Sequence, residues 1–193
     1  MDLTQGTFQE KKSRSRKMML WFAMISMFMM FAGLTSAYIV SQERKDWLQD
    51  LVLPTAFFYS TLVIVLSSVT FHLAKKAAQE EKHSNAGKFL LVTLVLAIVF
   101  VILQFVGFNE IIASNYYFTG KQSTVTTSFI YIITVTHLAH VAAGIIVLSV
   151  VIYNHFKQKY EQGQTLGLEL GAMFWHFLDI LWVFLFLFLN FLR

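Results

Sequence analysis

The most restrictive feature of the sequence is its final stretch, residues 167–193, which is almost entirely apolar and aromatic. About 20 such residues are enough for a helix to cross a bilayer. Yet Glu169, His176 and Asp179 lie inside this stretch, and an ionisable group at membrane depth costs about 2.5–3.5 kcal/mol. At about 100° per residue, the three side chains project from neighbouring lines of one helix. We therefore predict a membrane-spanning helix whose polar stripe faces another helix, water or another subunit.

Composition extends this interpretation to the whole chain. The sequence is 56% hydrophobic and only 13% charged, which excludes a disordered or ordinary soluble protein and indicates a polytopic membrane protein. It contains no cysteine, and this excludes a disulfide framework and a thiolate metal site. The net charge of +4 comes from basic residues in short segments beside apolar runs. Membrane orientation explains such residues better than nucleic-acid binding does.

Apolar runs separated by polar segments predict an all-α bundle of five transmembrane helices. A basic segment, residues 1–17, precedes them. The predicted spans are residues 18–40, 51–74, 89–112, 125–153 and 167–192. Pro54 falls in the first turn of the second span, where a missing N–H is harmless, and residues 75–88 read as a charged loop.

The distribution of positive charge predicts the orientation. With the N-terminus inside, eleven Lys and Arg residues fall in inner segments and four in outer segments. Such a bias is typical of membrane proteins, whose cytoplasmic loops are enriched in Lys and Arg. We therefore expect a cytoplasmic N-terminus and a C-terminus outside.

Histidines in the fourth span are the first candidates for chemistry. His137 and His140 are three residues apart and share a helix face, near mid-membrane. On the antiparallel fifth helix, Asp179 lies at nearly the same depth as His140, so the two are expected to form a hydrogen bond, with His176 nearby. Three interpretations compete: a structural polar cluster, a metal or haem site with these four residues as ligands, and a proton relay.

The other candidate residues lie near the ends of spans or beside the polar stripe. Glu169 is either a first-turn acid favoured by the helix dipole or a contact to a head group or helix. Glu110 is expected at the outer interface, and Trp175 and Trp182 lie together on a face adjoining the stripe. The sequence lacks a phosphate-binding loop, a dinucleotide fingerprint and a nucleophile elbow. No span is interrupted by Gly-Pro as in many transporters.

The fifth span is similar to the final helix of subunit III of the haem–copper cytochrome c oxidases, whose pattern is GxExxxxxWHFxDxxWxxLF. The matching residues are Gly167, Glu169, Trp175, His176, Phe177, Asp179, Trp182 and Leu185. THLAHVAAG resembles the family's HGLHVxxG, FYSTLVIVLSSVTFHLAKKA resembles NTxxLLxSSxTxxxAxxA, and LQFVGFNE resembles LQxxEYxE. The resemblance covers nearly the whole chain after residue 18. The accessory subunit of nitric oxide reductases has much of the same pattern and is the main alternative.

The resemblance implies a non-redox subunit of a respiratory terminal oxidase in a bacterial inner membrane, where cytochrome c oxidation is coupled to O2 reduction. It implies no cofactor on this chain, bound phospholipid, and haem and copper in partner subunits. The implied partners are catalytic subunit I, the other oxidase subunits and membrane lipids, within a larger respiratory supercomplex where one exists. The implied role is to support assembly, proton uptake and stability during turnover.

The sequence departs from the family pattern at three points. Met27 occupies the position of a membrane-buried Glu, which puts a proton role of that carboxylate in doubt here. Gly107 replaces the first Glu of LQxxEYxE. Five helices are predicted instead of seven, and the missing pair is the N-terminal one, which in the family forms half of a lipid-filled cleft. Another chain could carry that pair, or it could be absent.

Overall fold

Five long α-helices make up most of the part of the protein that the structure describes. The computed structural model describes residues 7–45, 47–48, 53–80, 82–120, 123–160 and 165–192. The helices are α1 (Phe8–Ser41), α2 (Thr55–Gln79), α3 (His83–Ala113), α4 (Val125–Phe156) and α5 (Leu166–Phe191). All five are long and apolar enough to cross a membrane, and the described residues include no β-structure beyond one isolated bridge. The predicted all-helical, multi-pass membrane fold is confirmed.

The first helix extends well beyond its predicted span, which begins at residue 18. It begins at Phe8, after an N-terminal capping box. The Thr7 hydroxyl accepts a hydrogen bond from the Glu10 amide, and the Glu10 carboxylate accepts one from the Thr7 amide at 2.9 Å. Two orphan amides are thus satisfied, and the Lys and Arg residues that follow are good helix formers.

The turn between α2 and α3 is much shorter than predicted. Residues 75–88 were expected to form a loop, but α2 continues to Gln79 and α3 begins at His83, because Lys, Ala and Gln favour helix. Pro54 is the N-cap of α2, one residue before the helix and not within its first turn. Residues 51–52, the start of the predicted second span, lie outside the described part of the chain.

Helices α2, α3, α4 and α5 form a closed ring in which each packs against two neighbours, and α1 packs against α4 and α5. The centre of the bundle is aromatic, with fully buried Phe57, Phe100 and Trp182. Helices α4 and α5 approach closely where a glycine replaces a side chain. A Cβ at Gly144 would lie 2.8 Å from Leu178 Cδ1. Small residues allow such close approach of membrane helices.

Candidate functional site

Two tryptophans of α5 form hydrogen bonds to α2. Trp175 Nε1 donates to Ser67 Oγ at 3.0 Å, and Trp182 Nε1 donates to Thr61 Oγ1 at 3.1 Å. Both indoles are almost completely buried, so each ring fills the core while its N–H is satisfied by a hydroxyl. The sequence indicated the shared face of the tryptophans but not their partners. The sequence does contain a pattern that indicates these partners. Thr61 and Ser67 are six residues apart on α2, close to the seven residues that separate the tryptophans on α5.

His137 lies in the core of the bundle. Its ring stacks on Trp182 with centroids 5.1 Å apart and meets Phe31 and Phe100 edge-on. The side chain is 1% exposed, and neither ring nitrogen has a hydrogen-bond partner among the described residues. His137 is therefore a packing residue joining α1, α3, α4 and α5 in this structure.

The predicted hydrogen bond between His140 and Asp179 is wrong. His140 Nδ1 donates to the Thr136 carbonyl of its own helix at 2.7 Å, and its ring lies 5.8 Å from that of Phe31 on α1. Neither oxygen of Asp179 forms a hydrogen bond of good geometry within the described chain; the carboxyl faces α2, where the Ser68 hydroxyl lies beside it. The estimated depths agree, but the two side chains point to different neighbours around their helices.

Asp179 belongs instead to a polar group with Ser68 and His176, which we call the α2–α5 polar group. Ser68 Oγ lies 2.6 Å from His176 Nδ1, within hydrogen-bond distance. The same nitrogen is 4.0 Å from Asp179 Oδ2, too far for a hydrogen bond. The His72 ring is 6.4 Å from that of His176. Ser68 was not predicted as a site residue, although it lies in the segment that resembles SSxT.

The four residues considered as metal ligands do not converge. His137 and His140 contact Phe31, whereas His176 and Asp179 face Ser68 on α2. Across the described ranges, no group of three His, Asp or Glu side chains is placed to hold a metal ion. The geometry thus gives no support to the interpretation of these residues as a metal or haem site.

Glu169 lies in the first turn of α5 and forms an ion pair with α1. Lys17 Nζ lies 2.8 Å from Glu169 Oε2, and the two side chains are 41% and 27% exposed. Thr165 Oγ1 donates to the other carboxylate oxygen at 3.3 Å. Of the two roles considered for Glu169, the structure thus shows the helix contact together with the first-turn position.

Lys17→Met is expected to lower the free energy of unfolding by less than about 1 kcal/mol, because partly exposed ion pairs contribute little. The loss should shrink further at high salt, which screens exposed charges. Denaturant unfolding in detergent at two salt concentrations measures both effects. Lys12→Met, at an exposed lysine earlier in α1, is the control; a loss above about 2 kcal/mol would contradict this assignment.

Glu110, Met27 and Gln104, the Gln of the LQFVGFNE segment, all lie within described helices. Glu110 is half-buried in the last turn of α3. Gln104, fully buried on the same helix, donates from Nε2 to Ser60 Oγ at 2.9 Å. Met27 packs against an apolar cluster between α1 and α5 that includes Met24 and Phe174. A thioether in apolar surroundings replaces the carboxylate of the family pattern.

Comparisons with known proteins indicate the same family as the sequence motifs in the helices. A sequence model of the family described as cytochrome c oxidase subunit III matches residues 4–192. The chain is 25% identical to cytochrome bo(3) ubiquinol oxidase subunit 3 of Buchnera aphidicola, over 97% of this chain and 93% of that protein. It is 27% identical to cytochrome c oxidase subunit 3 of Corynebacterium diphtheriae, over 86% and 82%.

An insect relative matches a smaller region at higher identity. Cytochrome c oxidase subunit 3 of Anopheles quadrimaculatus is 33% identical over 128 residues, covering 66% of this chain and 47% of the relative. Four residues of the α5 pattern have a place in the contact with α2. Trp175 and Trp182 form hydrogen bonds to α2, and His176 and Asp179 belong to the α2–α5 polar group. From the match over nearly its whole length, the chain belongs to the cytochrome c oxidase subunit III family.

Proposed function

We propose that this chain, as subunit III of a haem–copper terminal oxidase, acts by structural support of the catalytic subunit and not by redox chemistry. It would dock on subunit I, hold phospholipid at its apolar surface, and sustain proton uptake and stability during turnover. Haem and copper, and therefore cytochrome c oxidation and O2 reduction, would belong to partner subunits. The match of the family model to residues 4–192 carries this proposal.

The use of polar side chains inside the membrane supports a structural role. Trp175, Trp182 and Gln104 each donate to a hydroxyl on α2, and thus join helices to one another. Met27 cannot carry a proton, so support of proton uptake would not pass through that position. Polar residues that fix helix geometry are what a docking subunit needs, because it must present a defined surface to its partner.

The proposed location is a bacterial inner membrane with the N-terminus in the cytoplasm. The excess of Lys and Arg in the inner segments supports this orientation. In this arrangement the Lys17–Glu169 ion pair lies at the cytoplasmic ends of α1 and α5. The same membrane would hold the other oxidase subunits and any larger respiratory supercomplex.

Purification through a tag on the N-terminus tests the proposal. Mild solubilisation should yield, with this chain, a haem protein that consumes O2, because the subunit is expected to stay bound to its catalytic partner. An unrelated tagged membrane protein from the same membranes is the control. Recovery of no haem protein would contradict the proposal, and recovery of a nitric oxide reductase would replace it by the alternative.

A further inference from the structure

A groove between α2 and α5 opens on the outer surface of the bundle. It has a volume of about 440 Å³, and its walls are mostly apolar, with Val65 from α2 and Ile180, Val183 and Phe184 from α5. Ile180 is 70% exposed and marks the side that faces away from the bundle. Asp179 and Ser68 lie in the wall of this groove, which we call the α2–α5 groove.

Asp179 is the unusual group in this groove. It is only 3% exposed, and both of its carboxyl oxygens are without a hydrogen-bond partner among the described residues. Ser68 is already within 2.6 Å of His176 Nδ1, and that nitrogen is 4.0 Å from the carboxyl. The Ser68 hydroxyl lies beside this carboxyl, but its single proton can serve at most one of the two carboxyl oxygens. Buried polar groups in native proteins are nearly always hydrogen-bonded, so at least one oxygen of Asp179 is left for a donor from outside the chain.

The depth of Asp179 restricts what can supply the donor. It lies thirteen residues after Leu166, at the middle of the 26-residue α5, or about 20 Å along the helix from its start. A hydrocarbon core is about 30 Å thick, so lipid head groups cannot reach this level from either side. Acyl chains reach it but have no donors. A side chain of another transmembrane helix can provide both the donor and the apolar surface.

We propose that the α2–α5 groove receives a transmembrane helix of another oxidase subunit, and that this helix brings a hydrogen-bond donor to Asp179. This inference rests on the proposed function. The proposed function does not say which surface docks on the partner, and this inference assigns that contact to one face of the bundle. Helix α3, which lies opposite α5 in the ring, has an apolar outer surface near its middle, with Val95, Ile98 and Ile102 exposed, as expected for a side that faces lipid.

Site-specific photo-cross-linking in the intact, tag-purified complex tests the assignment. A photoreactive residue replaces Ile180 in the groove or, as the matched control, Ile98 at the middle of α3, where the side chain is 47% exposed. We expect Ile180 to cross-link to another oxidase subunit and Ile98 not to do so. A cross-link from Ile180 to a second copy of this chain or to lipid alone, in a complex that contains the oxidase, would overturn the inference. A purification that yields no oxidase would overturn both this inference and the proposed function.

Substitution of Asp179 tests the role of the carboxyl. Asp179→Leu should lower the cross-link yield from position 180 by about threefold or more, the factor that corresponds to an average interhelical hydrogen bond in a membrane. Asp179→Asn has nearly the same shape and keeps an acceptor oxygen, so it should retain most of the yield. Recovery of each variant with the oxidase through the same tag shows that it has folded, and among folded variants a loss confined to leucine reports the lost acceptor. Equal yields in the two variants would contradict the role of Asp179.

Discussion

Trp182→Ala is expected to destabilise the folded bundle by about 3 kcal/mol, near the lower end of the range for truncation of a buried tryptophan. The indole is 1% exposed, stacks on His137, and meets Phe57 and Phe100 edge-on. Its loss also leaves Thr61 without the indole N–H. The lower end applies because lipid is as apolar as the core, so the cost is mainly lost packing. Denaturant unfolding in detergent measures the change.

Two further variants separate the loss of stability due to the packing of Trp182 from the general effect of removing a tryptophan. Trp21→Ala removes an indole that is 54% exposed on the outer side of α1, and it should change stability by less than about 0.5 kcal/mol. Trp182→Phe keeps a ring against His137 but loses the N–H, and it should fall between the two. Equal losses for Trp182→Ala and Trp21→Ala would show that position 182 does not have the packing role assigned to it.

Gly107→Ala should cost about 1–3 kcal/mol, the usual range for overpacking a core. A Cβ at this position would overlap the ring of Phe57. That ring cannot easily move, because it is 1% exposed and lies between Phe108 and Trp182 in edge-on contacts. Thermal unfolding in detergent measures the loss, and Phe57→Leu in the same chain should recover part of it by making space.

The control for this substitution is Gly33→Ala on α1. Nothing lies within 4 Å of a Cβ built there, so alanine should be neutral or slightly stabilising, since it is the better helix former. A Gly107→Ala variant as stable as Gly33→Ala would mean that Phe57 can move aside. The contact also explains the departure from the family pattern, because a Glu side chain at position 107 would need the space that Phe57 occupies.

The number of helices could be predicted from the sequence because length and hydropathy alone decide it. The ends of the helices could not be predicted in this way, because hydropathy indicates where the chain enters the membrane and not where the helix begins. Thr7 and Glu10 carry the sequence pattern of a capping box, yet the basic residues after them read as a segment outside the membrane. The short separation between the end of α2 at Gln79 and the start of α3 at His83 was also not apparent, because the charged residues there are nonetheless good helix formers.

The membrane depth of the candidate-site residues could be predicted from the sequence, but the direction of their side chains could not. Counting residues from the helix ends placed His140 and Asp179 at one level, and that count uses only the rise per residue. The direction of a side chain also needs the rotation of each helix. In soluble proteins the contrast between apolar and polar faces gives this rotation. In a membrane the outer face is as apolar as the core, so the contrast is weak and Ser68 was not identified as the neighbour of Asp179.

The short turn between α2 and α3 has a consequence for biogenesis. Since so few residues join these helices, their contacts close almost no loop and can form as soon as both helices have been synthesised. The bond from Trp182 to Thr61, by contrast, joins residues 121 positions apart, and α5 is synthesised after the other four described helices. Until then, the Thr61 hydroxyl is satisfied by donation to the Phe57 carbonyl of its own helix at 2.8 Å. The pair of helices α2 and α3 can therefore stay in the membrane without an unpaired hydroxyl at this position. A chain truncated before α5 would lack the helix that joins α4 back to α2.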